Sequence, residues 1–289
     1  MTEPTSHTLT APTATLAYDV RAGADPTQPA LLLIGSPMGA QGFTTLAGHF
    51  PDRTVVTYDP RAAGRSRRTD GARVTTPEEH ADDLHRIVDA MGGGPVDVFA
   101  TSGGAVNALV LVARHPEDVR ILVAHEPPAA QELPDRETML AVTEDIDATY
   151  RRSGFGPAMA KFIAVVSAEG PLPADYLDRP APDPAMFGMS TEDDGSRDDP
   201  LLRWNLAMPP YRPDADALRA SPVRIVPGIG ALGEGTMARR GAEALAALLG
   251  VEPVVFPGDH GGFTVNEWSP GNDPAVFADT LREVLGGNE

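Results

Sequence analysis

The sequence has 289 residues, of which 42% are hydrophobic, and it carries a net charge of −18 with no cysteine. A chain of this length fits one large α/β domain or two small ones. The lack of cysteine excludes disulfides, thiolate metal ligands and a cysteine nucleophile. The acidic charge disfavours binding to nucleic acid or to an anionic membrane. No apolar run approaches the ~18 residues needed to span a bilayer. Residues 1–15 lack the features of a signal peptide, so we expect a cytoplasmic protein.

The first third of the chain predicts strands alternating with helices. Weak strand signals at residues 8–15 and 16–21 indicate an antiparallel edge of a sheet. Thr76, with Glu79 three residues later, predicts a helix cap. The other predicted elements are a strand at 30–34, a helix at 41–50, a strand at 54–58 and a helix that follows Thr76 to about residue 91.

The most informative stretch is a buried strand at residues 96–100, followed by a tight turn and an apolar helix at 105–114. The turn reads Ala100-Thr-Ser102-Gly-Gly104, with small residues two places before and after the serine. This pattern is typical of a nucleophile elbow, with alanine in place of the usual first glycine. The turn presents the serine hydroxyl beside free helix N–H groups, where negative charge is favoured. An ordinary glycine-rich turn is the alternative interpretation.

The alternation stops at Pro127, after a strand at residues 119–124. Residues 137–152 and 157–168 have helical periodicity, and a segment rich in Pro, Asp and Gly follows up to residue 200. Alternation then resumes with a strand at 222–226, a helix at 236–249, a strand at 252–256 and a helix at 274–285.

This order of elements predicts an α/β fold with a doubly wound, mostly parallel sheet. Residues 1–126 and 221–289 would form its core. Residues 127–220 would form a helical lid over the carboxyl edge of the sheet, where ligands bind in such folds. The lid is rich in flexible and aromatic side chains, which favours a moderately large apolar substrate. These are Met139, Met159, Phe162, Met186, Phe187, Met189, Trp204 and Met208.

A serine nucleophile needs a base and a group that orients the base. Of the seven histidines, His260 lies in a loop after the last strand, at the same sheet edge as Ser102. We therefore predict His260 as the base, and a surface-loop histidine is the alternative. His125 is a second candidate, although strand periodicity directs its side chain away from that of Glu126.

Together these segments resemble the α/β-hydrolase family, in its lid-bearing, single-domain form. The resemblance rests on the elbow at Ser102, the loop 35–37, the turn 59–61 and the loop 258–263, which occur in the family's order. The family's usual histidine before Gly35 is Ile34 here. The resemblance implies an oxyanion hole formed by the backbone N–H groups of Ser36 and Gly103.

The carboxylate of the triad has two candidates. The family most often places it after the strand that follows the lid, and there the first carboxylate is Glu234. Some relatives place it after the preceding strand instead, and Glu126 occupies that position. A carboxylate at a buried strand end is costly unless it is paired, which favours a histidine partner for Glu126.

The resemblance implies a serine hydrolase that cleaves an ester, thioester or lactone through an acyl-enzyme, without metal or cofactor. Its partner would be a small-molecule substrate, with no role for nucleic acid or membrane. The same triad could instead perform perhydrolysis, C–C cleavage or acyl transfer in a biosynthetic pathway. A ligand-binding protein that keeps the fold without turnover is the alternative of a different class.

Overall fold

The computed structural model describes residues 3–204, 211–265 and 269–287. Within these ranges the strands are β1 (Thr5–Ala11), β2 (Ala14–Arg21), β3 (Leu31–Ile34), β4 (Val55–Tyr58), β5 (Arg67–Arg68), β6 (Val96–Thr101), β7 (Val119–His125), β8 (Arg224–Gly230) and β9 (Val254–Phe256). The helices are α1 (Thr44–Gly48), α2 (Pro77–Ala90), α3 (Gly103–Arg114), α4 (Arg136–Ser153), α5 (Phe155–Val166), α6 (Pro200–Trp204), α7 (Ala215–Ala220), α8 (Met237–Leu249) and α9 (Pro274–Gly286). Short 3-10 turns lie at Ala40–Phe43, Pro116–Asp118, Ala130–Glu132, Tyr176–Asp178 and Pro184–Phe187.

The strands form one sheet in the order β1-β2-β4-β3-β6-β7-β8-β9, with β5 paired to β2. β1 and β2 form an antiparallel hairpin, and β2 pairs antiparallel with β4. From β4 to β9 every pairing is parallel. The predicted mostly parallel sheet with an antiparallel edge is therefore confirmed. The parallel strands end at one edge, which brings the loops after β3, β4, β6, β7, β8 and β9 together.

Helices cover both faces of this sheet. Alternate residues of β3 divide between two apolar clusters, as strand periodicity requires. Leu32 and Ile34 pack towards α2 and α3, whereas Leu31 and Leu33 pack towards α1 and α9. Each of these four side chains is fully buried. Burial of such a side chain contributes roughly 1.5–3 kcal/mol, so the central strands form a rigid base for the loops at their ends.

The cap predicted for α2 is present. The Glu79 N–H donates to Thr76 Oγ1 at 3.2 Å, and the Thr76 N–H donates to Glu79 Oε2 at 3.0 Å. This reciprocal pair satisfies two N–H groups that the helix itself leaves free.

Several predicted bounds differ from the structure. The strands expected at residues 8–15 and 16–21 are β1 and β2, with the turn between them at residues 12–13, and the strand expected at 252–256 is the shorter β9. The helix expected at residues 41–50 is a 3-10 turn, Ala40–Phe43, followed by the short α1. The Asp59 carboxylate accepts the Ala40 N–H at 2.8 Å, a tertiary contact that helical periodicity does not contain. The strand expected at 222–226 lies at Arg224–Gly230 instead. Pairing with β7 and β9 keeps its Pro-Gly segment extended against local preference.

The helices between β7 and β8 build a third apolar cluster. α4, α5 and α6 surround it, with Tyr150 and Ala158 fully buried. Of the apolar residues predicted to line a substrate site, Met139 and Met159 are buried in this cluster, and Phe162 and Met189 pack at its edge. Met186 is 79% exposed. Phe187 is partly buried, whereas the Trp204 side chain and Met208 lie outside the described residues.

The chain returns to the sheet at α7, whose Leu218 joins the cluster between the sheet and α3. None of the helices in the described ranges is both long and apolar enough to cross a membrane.

Candidate active site

Ser102 lies at the sharp turn between β6 and α3. Its backbone has φ 54° and ψ −131°, a conformation that costs a non-glycine residue roughly 1–3 kcal/mol. A Cβ on Gly104 would lie 2.5 Å from the Ile34 carbonyl oxygen, so only glycine fits there. The Ser102 N–H donates to the His125 carbonyl at 2.9 Å, which fixes the turn against the end of β7. Ser102 is partly exposed at the carboxyl edge of the sheet.

Two backbone N–H groups near Ser102 have no protein acceptor in the part of the chain that the structure describes. Among the described residues, neither the Ser36 nor the Gly103 N–H donates to a protein acceptor. Ile34 and Ala100 are paired residues of β3 and β6, so Ser36 and Ser102 each follow a paired position by two residues. The resemblance predicts these N–H groups as the oxyanion hole, and the register places them on adjacent strand ends.

Asp59, in the loop after β4, holds the loop that carries Ser36 by a hydrogen bond. Asp59 Oδ1 accepts the Ala40 N–H, and Asp59 Oδ2 accepts the Arg65 N–H at 2.9 Å. A Cβ on Gly39 would lie 2.4 Å from Asp59 Oδ1, so glycine permits this close approach. Arg61, two residues after Asp59, forms a buried bidentate pair with Asp83 at 2.6 and 2.9 Å. The turn at residues 59–61 therefore has a structural role that supports the loop after β3.

His260 lies in the loop after β9, and its side chain is 47% exposed. Its neighbour Asp259 clamps the loop, because Asp259 Oδ1 accepts from the Gly261 N–H at 2.8 Å and from Asn272 Nδ2 at 2.9 Å. The Gly258 carbonyl accepts the Leu232 N–H at 2.9 Å, which joins this loop to the one after β8.

Glu126 is fully buried immediately after β7 and points towards His260. His260 Nδ1 lies 2.7 Å from Glu126 Oε2, and the Gly230 N–H donates to Glu126 Oε1 at 2.8 Å. The backbone of Glu126 has φ 47°, a second strained conformation at this edge. Burial raises the pKa of Glu126, but the hydrogen bonds from His260 and from the Gly230 N–H, with the charge of His260, more than offset it. The pKa of Glu126 therefore lies below its ordinary value.

An ionised Glu126 can only accept a hydrogen bond, so the neutral form of His260 carries its proton on Nδ1 and leaves Nε2 as an acceptor. No hydrogen bond joins Ser102 Oγ to His260 among the described residues. Such bonds are often long in the absence of substrate and tighten in the complex. The structure thus brings His260 and Glu126 into contact and places Ser102 on the adjacent strand end.

His125, the second candidate base, is enclosed. Its ring packs against Phe99, Phe256 and Phe277, and its Nδ1 lies 3.2 Å from Thr101 Oγ1. Burial lowers the pKa of His125 to about 4. A neutral, fully buried imidazole cannot reach a substrate. Its ring centroid lies 6.2 Å from that of His260, so His125 packs behind the His260–Glu126 pair.

Glu234, the alternative acid, is exposed in the loop after β8 and forms no hydrogen bond or ion pair with His260 within the described residues. Gly230 was not predicted from the sequence. It lies at the strand end where the family most often places its acid, and here its N–H binds the carboxylate of Glu126. The one feature of the sequence that could have indicated this role of Gly230 is the lack of a carboxylate directly after β8.

This fold and the arrangement at its edge agree with comparisons to known proteins. A sequence model described as the alpha/beta hydrolase fold matches residues 29–209. The chain belongs to this family and is a hydrolase. It is 32% identical over 286 residues to the uncharacterized hydrolase YraK of Bacillus subtilis strain 168, covering 96% of this chain and 95% of that protein.

Solved structures share the fold. A thermophilic esterase from Thermogutta terrifontis has a TM-score of 0.66 at 20% identity, with 98% of each chain covered. The enol-lactonase from Burkholderia xenovorans LB400 has a TM-score of 0.65 at 18% identity, covering 95% of this chain and 97% of that one.

Proposed function

We propose that the protein is a serine hydrolase that cleaves a carboxylic ester, thioester or lactone through an acyl-enzyme. The observation that carries the proposal is the Glu126–His260 contact of 2.7 Å at the strand end beside the strained turn of Ser102. A buried carboxylate, a half-exposed imidazole and a serine at such a turn are the three parts of a nucleophile–base–orienter set. The names of the structural neighbours, an esterase and a lactonase, agree with this substrate class.

In the first half of the reaction, Ser102 Oγ attacks the carbonyl carbon while His260 Nε2 takes its proton. The carbonyl oxygen becomes an oxyanion that accepts from the Ser36 and Gly103 N–H groups. His260, now doubly protonated, is stabilised by the ionised Glu126. The bond between the acyl carbon and the leaving oxygen, or the leaving sulfur of a thioester, then breaks. His260 gives its proton to that leaving atom, and the acyl group remains on Ser102.

In the second half, water attacks the acyl carbon and His260 Nε2 takes the water proton. The oxyanion forms again on the same two N–H groups. Its collapse breaks the bond to Ser102 Oγ, which regains the proton from His260, and the carboxylic acid leaves. A lactone follows the same steps, except that the leaving hydroxyl remains part of the product.

Residues 127–204 are proposed to cover this site as a lid. The apolar cluster of α4, α5 and α6 lies between β7 and β8 in sequence, directly after Glu126. Its partly buried Phe155, Phe162 and Met189 offer apolar surface, so the proposed acyl or alcohol group is apolar rather than charged.

The test is the turnover of a para-nitrophenyl ester series by the wild-type protein and by Ser102→Ala. Loss of the nucleophile is expected to lower kcat by at least about 10⁴, as removal of the serine does in other triads. Thr101→Ala, the same kind of change one residue earlier, is the matched control because Thr101 is buried and binds His125 rather than substrate. Turnover by Ser102→Ala equal to that of wild type would refute the proposal. Tight ligand binding without any turnover by wild type would favour the binding-protein alternative.

A further inference from the structure

Two histidines and an aspartate converge at the sheet edge opposite Ser102. His85 lies in the last turns of α2, His115 ends α3, and Asp118 precedes β7. One ring nitrogen or carboxylate oxygen of each lies within 4.8 Å of the others. His85 Nδ1 is 2.7 Å from Asp118 Oδ2. β7 begins at Val119, so this cluster lies at the amino ends of the parallel strands, far from the hydrolase site.

The backbone that carries the cluster is fixed. The His115 N–H donates to the Leu111 carbonyl at 2.7 Å, and the Asp118 N–H donates to the His115 carbonyl at 3.1 Å. A Cβ on Gly94 would lie 2.6 Å from the Asp118 carbonyl oxygen, so the loop before β6 also packs directly on this turn. Potential ligand groups on rigid elements need little ordering before they bind.

The surroundings of the two rings are strongly negative. Asp89 Oδ2 lies 3.6 Å from His85 Nε2, and Glu117 Oε1 lies 3.6 Å from His115 Nδ1. The Asp118 side chain is only 5% exposed, so its charge is poorly screened. His115 caps the carboxyl end of α3, which adds the negative end of that helix dipole. Among the described residues, the charged groups within ion-pair distance of either ring are Asp118, Asp89 and Glu117.

The two imidazole rings stack with centroids 3.9 Å apart and planes 9° apart. A metal lies in the plane of each imidazole that binds it, so one ring must turn about its Cβ–Cγ bond. The side chains of His85 and His115 are 29% and 23% exposed, which leaves room for this turn. Ligand atoms of tetrahedral zinc lie about 3.3 Å apart, so the 2.7 Å contact of His85 Nδ1 with Asp118 Oδ2 must lengthen and any wider separation must shorten.

We propose that His85, His115 and Asp118 form a binding site for a first-row divalent metal ion, with Zn²⁺ as its representative. Two imidazoles and one carboxylate are a ligand set suited to such ions rather than to Mg²⁺ or Ca²⁺, which prefer oxygen ligands alone. Asp89 or Glu117 can supply a fourth ligand. The ion would join α2 to α3 and to the start of β7, so its role is to stabilise the fold.

The experiment titrates ZnCl2 into untagged protein, stripped of metal with EDTA, by isothermal calorimetry at pH 7.5. One Zn²⁺ per chain is expected, together with a rise in Tm, because a ligand of the folded state stabilises it. His115→Ala and Asp118→Asn are each expected to weaken binding at least about tenfold, the lower end of what loss of an outer-shell partner costs a metal site. The same protein with CoCl2 is expected to show visible absorption that Asp118→Asn changes.

Two controls separate this site from other histidines. His7→Ala removes an exposed histidine, and His260→Ala removes the one at the hydrolase site; both are expected to bind Zn²⁺ as wild type does. The far-ultraviolet circular dichroism of every variant is compared with wild type, and His85→Gln replaces any variant that does not fold.

Binding is also expected to weaken at pH 5.5, because the ligands must lose their protons. The proposal is overturned if wild type shows no saturable binding, if the cluster variants bind as wild type does, or if His260→Ala abolishes the binding.

Discussion

The carboxyl edge of the sheet and the segment after Glu126 are held together in different ways. At the edge, polar side chains and close backbone contacts fix each loop: Asp59 holds the loop of Ser36, and Glu126 holds His260 and Gly230. The helices α4, α5 and α6 depend mainly on their own apolar cluster. Four described non-glycine residues have a positive φ, namely Thr13, Ala62, Ser102 and Glu126, and none of them lies in these helices.

The edge would therefore position the catalytic groups, whereas the helices would shape the surface that contacts the substrate. Catalysis of acyl transfer requires groups positioned to within a fraction of an ångström, and a network of hydrogen bonds to rigid strands provides such positions. An apolar cluster tolerates exchange of one apolar residue for another, so it can change the surface offered to substrate without moving the edge. We expect substitutions in the two parts to affect different quantities.

The largest effect is expected from Glu126→Gln, which keeps the side-chain volume but removes the charge that stabilises a protonated His260. In a related triad the matching change lowers turnover about 10⁴-fold, so we expect kcat to fall by about 10²–10⁴ with KM nearly unchanged. Steady-state kinetics with a para-nitrophenyl ester measures both constants. Glu234→Gln is the matched control and is expected to behave as wild type. The reverse pattern would identify Glu234 as the acid.

A smaller effect, on stability rather than chemistry, is expected from Arg240→Met. Arg240 in α8 binds the buried Asp135 at the start of the insertion and donates to the Gly170 carbonyl at 2.9 Å. Breaking this pair leaves a buried carboxylate whose remaining partner from another segment, among the described residues, is the Leu172 N–H at 2.7 Å, and we expect a loss of about 3 kcal/mol in the free energy of unfolding. The value of kcat is expected to change little. Urea denaturation and ester kinetics on the same preparations test both statements.

The pH dependence of this effect has a definite sign. Burial raises the pKa of Asp135, but the hydrogen bonds from Arg240 and the Leu172 N–H outweigh it, so its pKa lies below the ordinary 3.8. The Arg240–Asp135 pair therefore contributes its full stabilisation above the ordinary pKa of 3.8. This contribution is lost as the pH falls through the lowered pKa of Asp135 in the folded protein. The difference between wild type and Arg240→Met is expected to shrink in acid. Arg179→Met, which removes an exposed pair with Asp175, is the control, with at most about 1 kcal/mol at any pH.

The smallest effect is expected from Ser36→Ala. Only the backbone N–H of Ser36 is proposed to bind the oxyanion, and its buried hydroxyl has no hydrogen-bond partner among the described residues. Removal of an unpaired buried hydroxyl is nearly neutral or stabilising, so we expect wild-type kcat and an unchanged or higher Tm. A loss of about 10² or more in kcat would show instead that the hydroxyl itself donates to the oxyanion.

The sequence predicted best those features that depend on residues close together in the chain. The elbow at Ser102 is local, because a buried strand, small residues and an apolar helix stand side by side in the chain. The α2 cap at Thr76 is local as well, and both were predicted at the correct residues. The parallel sheet followed from the alternation of strands and helices.

Predictions that depend on distant contacts were less complete. Glu126 and His260 lie far apart in sequence, and Glu234 has equally polar local surroundings, so only the packing of strand ends distinguishes the two carboxylates. The end of β8 was predicted at Val226 because Pro227 and the glycines after it are typical of a loop, whereas pairing on both sides extends the strand to Gly230. The contact of Gly230 with Glu126 could not be predicted for the same reason.

The most direct measurement of the central claim is the position of a covalent adduct. Wild-type protein is incubated with a fluorophosphonate, which reacts with an activated serine and expels fluoride, and the modified peptide is identified by tandem mass spectrometry. The expected result is one phosphonyl group per chain, located on Ser102, with loss of ester turnover in proportion to labelling and greatly reduced labelling of Glu126→Gln. An adduct on another residue, or equal labelling of Ser102→Ala, would contradict the assignment of Ser102 as the nucleophile.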